Sequence, residues 1–268
     1  MRGIILSLSF ICLALIAIMA ASCGSSSNSG GSGACTGGPY NVVGDWTLNV
    51  SGTGGSSSGP GVINSSGLAV FFQTTTSSPA PGDTVVMPAI TGTCSFSGTA
   101  TAYGTPASGD GSATQTVNGH VNSAISISGT LSNGNSFSMT PVTPLTGSVT
   151  ALSGTGWQGE VEGATQPIIW NIAITPTGSN NSMSFTGTSA ACNITGTFNQ
   201  EATGGANPNV FDVTVTTIQG CPFDNFTGIG FESSSDYFGM NGGAAGTYFY
   251  AVASVNTAVV LEIFSPAL

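Results

Sequence analysis

Short runs in which apolar and polar residues alternate, separated by Gly, Asn, Ser and Pro, recur along most of the chain. Trp46, Leu48 and Val50 share one side of such a run, and Asp45, Thr47 and Asn49 share the other. A period of two is that of a strand with one buried face. The same period carries Leu68, Val70 and Phe72; Ile125 and Ile127; Ile168, Trp170, Ile172 and Ile174; Phe211, Val213 and Val215; and Val259, Leu261 and Ile263. No window sustains a helical period. The pattern predicts an all-β fold of sandwiches or barrels, with Trp46, Trp157 and Trp170 in the core.

One hairpin can be read to the residue. A two-residue Asn133-Gly134 loop would set Leu131 against Ser136 and split the apolar face. A three-residue loop, Ser132-Asn133-Gly134, with Gly134 in the left-handed region, instead pairs Leu131 with Asn135, Gly129 with Phe137 and Ile127 with Met139.

A weak internal repeat divides the folded part. Gly44-Asp45-Trp46 is echoed by Thr155-Gly156-Trp157, and Cys94-Ser95-Phe96-Ser97-Gly98-Thr99 by Cys192-Asn193-Ile194-Thr195-Gly196-Thr197. The two spacings differ, which a longer Gly/Ser-rich loop over 51–66 would explain. The reading is two related antiparallel β-barrel or β-sandwich domains, 39–145 and 146–268, joined near Pro141-Val142-Thr143-Pro144. One larger barrel built from both halves is the alternative.

Charge narrows the function classes. Charged residues make up 4% of the chain, with eleven Asp and Glu against one Lys or Arg, which is Arg2. Such a chain cannot neutralise phosphates, so nucleic-acid binding is excluded. Schiff-base lysines and arginine fingers are excluded with it.

The N-terminus reads as an address. Arg2, the apolar run Ile4 to Met19 and small residues Ala20, Ala21 and Ser22 have the layout of a signal peptide over 1–22. Ala20-Ala21-Ser22-Cys23 resembles the lipobox of bacterial lipoproteins. That resemblance implies cleavage before Cys23, diacylglycerol on its thiol and a further acyl chain such as palmitate on its amine, hence a lipid-bilayer anchor. Gly24 follows, not Asp, which points to the outer membrane. Residues 23–38 then comprise the lipidated Cys and a Gly/Ser tether. With the Gly- and Trp-bearing strand openings and the Cys-x-Phe/Ile-x-Gly-Thr strands, the chain resembles Gly/Thr-rich β lipoproteins of soil bacteria. This group implies location and fold, not an activity.

In an exported protein Cys35, Cys94, Cys192 and Cys221 are disulfide candidates, and four Cys allow three pairings. Cys35 with Cys94 and Cys192 with Cys221 keeps each bridge inside one half. No Cys-x-x-Cys or Cys-His cluster suggests a metal, and no cofactor is expected.

Candidate sites are few. His120, the only His, reads as a solvated loop residue. Gly55-Ser56-Ser57-Ser58-Gly59 fits a nucleophile elbow formally, but Pro60-Gly61 follows where a helix should start. Glu160 and Glu162 lie two apart on a strand, at a separation of ~7 Å that overlaps glycosidase carboxylates. They, or Asp224, Glu232 and Asp236, could also face a calcium ion, though no EF-hand spacing is present. Tyr237, Tyr248 and Tyr250 are the candidate ligand-binding aromatics. Because Phe249 is also apolar, the strand there either lies between two layers or exposes a patch.

The expected function is a non-enzymatic, membrane-anchored surface or periplasmic lipoprotein, a binding or envelope-structural module for neutral polysaccharide or envelope proteins. The alternative is a secreted glycoside hydrolase working through Glu160 and Glu162. An integral outer-membrane barrel is disfavoured because a lipid anchor would be redundant.

Overall fold

The computed structural model describes residues 38–53, 55–72, 74–75, 84–103, 112–142, 154–162, 169–177, 182–190, 192–201, 209–219, 221, 225–233, 248–253 and 260–264. These residues form strands and turns, with no helix among them. The first group of strands is β1 (Gly44–Gly52), β2 (Gly55–Ile63), β3 (Ala69–Phe72), β4 (Thr74–Thr75), β5 (Thr84–Met87), β6 (Ser95–Tyr103), β7 (Ser112–Ser123), β8 (Ser126–Leu131) and β9 (Ser136–Pro141). The second is β10 (Gly154–Glu162), β11 (Ile169–Pro176), β12 (Ser182–Thr188), β13 (Asn193–Gln200), β14 (Phe211–Gln219), β15 (Phe226–Ser233), β16 (Tyr248–Ala253) and β17 (Val260–Phe264).

Each strand of the second group pairs antiparallel with the next, and β17 returns to β10, closing a barrel. In the first group β4 continues β3 along β2, and the remaining order is also sequential. Because β1 pairs with β9 on one edge and β2 on the other, that order too returns to its start. The chain therefore makes two up-and-down barrels, the second closed strand by strand and the first brought round on itself by the β1–β2 pairing. The single larger barrel is not what forms.

Eight strands enclose a space that side chains just fill. In the first barrel Trp46, Leu48, Ile63, Phe71, Val117, Ile127 and Met139 fill it. In the second it is Trp170, Ile172, Phe185, Ile194, Phe198, Phe211 and Phe249, with Phe185 stacked on Phe198 at 4.6 Å. The buried indole N–H groups are satisfied by backbone: Trp46 Nε1 donates to the Val42 carbonyl and Trp170 Nε1 to the Cys192 carbonyl, both at 2.8 Å. Trp157 is buried as well.

The hairpin at 131–135 has the register the sequence predicts. Ile127 lies opposite Met139 and Gly129 opposite Phe137; Leu131 N donates to Asn135 O at 2.8 Å; and Gly134 has φ of 86°.

Four expectations need correction. The Gly/Ser-rich stretch 51–66 is not a long loop, since residues 55–63 are β2, paired with β1 along its length. Glycine is what lets that run be a strand: Gly61 faces Trp46, and a Cβ there would run into the Val70 carbonyl and the Phe71 ring. The unequal repeat spacing follows from this. Trp46 and Trp157 open the first strand of each barrel, but the Cys-headed motif opens the fifth strand of one, β6, and the fourth of the other, β13. An additional strand, not a loop, separates the two motifs in the first half. Ile125 sits in the β7–β8 turn, 68% exposed, and only Ile127 faces the core. His120 lies exposed on β7, between Ser95 and Ser128, and not on a loop.

Cys192 and Cys221 are joined by a disulfide, as the half-by-half pairing predicts. Cys94 is half-buried, while Cys35, Cys23 and the rest of 1–37 lie outside the described residues. No helix among the described residues is long and apolar enough to cross a membrane.

Candidate functional site at the joint between the barrels

Some strands are apolar on both faces, and these mark where the barrels meet. On β3, Ala69 and Phe71 enter the first barrel while Val70 and Phe72 point outward. On β16, Phe249 and Ala251 enter the second barrel while Tyr248, Tyr250 and Val252 point outward. The outward sets meet, with Val62, Ile229 and Phe231, in one buried cluster. Phe72 lies 5.2 Å from the Tyr250 ring, edge to face, and 5.4 Å from Phe231, a geometry that suits aromatic quadrupoles. The alternation of Leu68, Val70 and Phe72 is thus real, but those side chains pack between barrels instead of inside one.

This placement corrects the ligand-binding expectation for Tyr248 and Tyr250. Both are fully buried, held by protein on all sides, and offer no ring face to a sugar. The two-layer alternative for this strand is the one that forms. Tyr237, Asp224 and Asp236 lie outside the described residues.

A polar node adjoins the apolar cluster. Asp45 lies opposite Val62 in the β1–β2 register, so its side chain shares the joint face. Asn209, just before β14, donates from Nδ2 to Asp45 Oδ1 at 3.0 Å and to the Glu232 carbonyl at 3.1 Å, and accepts from Glu232 N at 2.8 Å. One amide therefore ties the backbone of the second barrel to a carboxyl of the first. Asp45 Oδ2 is buried without a hydrogen-bond partner. Burial pushes Asp45 up to about 6 from its ordinary 3.8, against the smaller opposing effect of the Asn209 bond. Glu232 is raised by burial too, and its Oε2 is also unpartnered. It alternates with Phe231 and Ser233 and lies opposite Phe249, which puts it on the interior side of β15.

A second link crosses nearby. Ser65, in the β2–β3 turn, donates its backbone N–H to Glu201 Oε2 at 2.8 Å and its hydroxyl to Oε1 at 3.0 Å. Glu201 is raised by burial, with the Ser65 bonds pulling the other way and Asp212 adding to the rise.

Away from the joint the barrel walls carry rows of uncharged polar side chains. Thr175, Ser184, Thr197, Thr214 and Thr227 are register partners across β11 to β15. Ser95, His120, Ser128, Ser138, Asn49 and Ser58 form a comparable row across β6 to β9, β1 and β2. All of them are exposed or half-buried. Strand geometry spaces such groups about 4.8 Å across and about 6.8 Å along the wall.

Glu160 and Glu162 lie on β10 opposite Glu262 and Val260 of β17, and their side chains are outside the described residues. Among the described residues no three His, Cys, Asp or Glu side chains converge.

Sequence reading missed Asn209, Glu201 and Ser65 altogether. The available signal was indirect: two-sided apolar strands at 69–72 and 248–252 require a second layer outside each barrel. Compared with known proteins, the chain matches no family model, no curated protein and no solved structure. The class defined by the structure is accordingly that of an all-β chain of two filled, antiparallel barrels meeting at an aromatic joint.

Proposed function

We propose that the chain is a lipid-anchored envelope protein, tethered through Cys23 to the outer membrane, whose double barrel acts as a structural module against a neutral polysaccharide. The observation that carries this reading is the set of cross-strand hydroxyl and amide rows on the barrel walls. The barrel interiors are filled by side chains, and Tyr248 and Tyr250, two of the three aromatic residues first suspected of holding a ligand, are consumed in the joint. What remains for contact is the outer surface. It offers regularly spaced donors and acceptors, and a chain with eleven carboxylates and a single Lys or Arg repels polyanions.

The full chain in mild detergent, sedimented with insoluble uncharged glucans and with an acidic polysaccharide, tests this. Retention on the uncharged polymers alone, undiminished by salt and weakened by Thr197→Asp with Thr214→Asp, is expected. No retention on any uncharged polymer, or retention indifferent to the two substitutions, overturns it.

A further inference from the structure

We propose that the joint between the barrels is a proton-operated latch, held tightest when the Asp45 carboxyl is neutral and loosened when it ionises. Asp45 stands on the joint face of β1, nine-tenths buried, beside Val62 and against Asn209 of the other barrel. One oxygen has the Asn209 amide; the other is sealed without a partner. A neutral carboxyl loses less there than a charged one. An ionised one keeps the Asn209 bond but forfeits the hydration of its second oxygen, which separation of the barrels would restore.

No charge in the neighbourhood offsets that loss. From the second barrel, among the described residues, Glu201 beyond β13 and Asp212 of β14 are the acids around the joint, Glu232 of β15 turns its carboxyl to the barrel interior, and Tyr248 and Tyr250 of β16 are the joint's phenols. From the first barrel, β2 and β3 carry no ionisable side chain. The only Lys or Arg of the whole sequence is Arg2, and the only His is the exposed His120. Burial holds Asp45 at about 6 against 3.8 in free water, so ionisation favours the opened joint by a factor of up to about 100. The device does not depend on the polysaccharide reading, because it resides entirely in the contact between barrels.

NMR-detected hydrogen exchange of the full chain in detergent tests it at the Ser65 amide, which donates across the joint to Glu201. The opening constant, corrected for the intrinsic pH dependence of exchange, is measured at pH 4 and pH 7 in the native chain and in Asp45→Asn. Asp45→Ala replaces the Asn variant should that one fail to fold. Glu201 and Glu232 are present in both chains, so the difference between the chains reports Asp45. The latch predicts a rise with pH that is tens of times larger in the native chain than in the variant. An equal rise in both, or a smaller one in the native chain, overturns it.

Discussion

Asn209 donates its side-chain amide to the Asp45 carboxylate at 3.0 Å, across 164 residues of sequence and from one barrel to the other. Because the same amide also binds the Glu232 backbone in both directions, its orientation is fixed by bonds within the second barrel. A buried amide with all of these bonds made is costly to separate from its partners, and one with a bond missing costs on the order of 1–3 kcal/mol.

Stability should fall as pH rises. Asp45 binds its proton more tightly folded, at about 6, than unfolded, at 3.8. Its favourable contribution is complete below pH 3.8, is lost progressively as pH rises and is gone above about 6, a change of about 3 kcal/mol. Urea titrations at pH 4 and pH 7.5 should show the higher midpoint in acid, and Asp45→Asn should be more stable than the native chain at pH 7.5. A native midpoint that climbs with pH would contradict the burial of this carboxyl.

Losing the Cys192–Cys221 bridge, which spans 29 residues, should cost about 3.5 kcal/mol through the freed unfolded chain. Cys192→Ala and Cys221→Ala should lower the urea midpoint by the same amount and should not add. A bridge-free variant as stable as the native chain would count against the pairing.

Side-chain volume at Gly61 should be poorly tolerated. A Cβ there meets the Val70 carbonyl and the Phe71 ring, so Gly61→Val should cost roughly 1–3 kcal/mol by overpacking. At Gly134, where φ is 86° and space is open, Gly134→Ala should cost about 1 kcal/mol, from backbone conformation alone. Chemical denaturation of both variants checks the ranking, and equal losses would mean the β2–β3 contact is not as tight as drawn.

Salt should not weaken the fold. With one Lys or Arg, at position 2, against eleven carboxylates, added salt screens repulsion and removes little attraction. The melting temperature should hold or rise between low and 1 M NaCl. A steep fall would reveal ion pairing that this composition does not supply.

The strands were legible wherever one face was polar. Trp46 and Leu48, Trp170 to Ile174, and Phe211 to Val215 alternate cleanly because their other faces meet solvent or the joint edge, and the 131–135 turn is dictated by where Gly134 can sit. Two things were hidden. Residues 55–63 have little β propensity, and pairing with β1 along their length and with β3 on the other side makes a strand of them. The joint was hidden too, since Asp45 on an alternating strand looks like any solvated carboxylate until Val62 and Asn209 are brought against it.

Hydroxyl-radical footprinting of the native chain at pH 5, read by mass spectrometry after peptic digestion, tests most directly that the two barrels form one body. Phe72, Tyr248 and Tyr250, which are almost wholly sealed, should remain unmodified while Ile125, 68% exposed, is oxidised. Oxidation of Phe72 and Tyr250 at the rate seen in the denatured chain would mean that the barrels stand apart, and would contradict the joint.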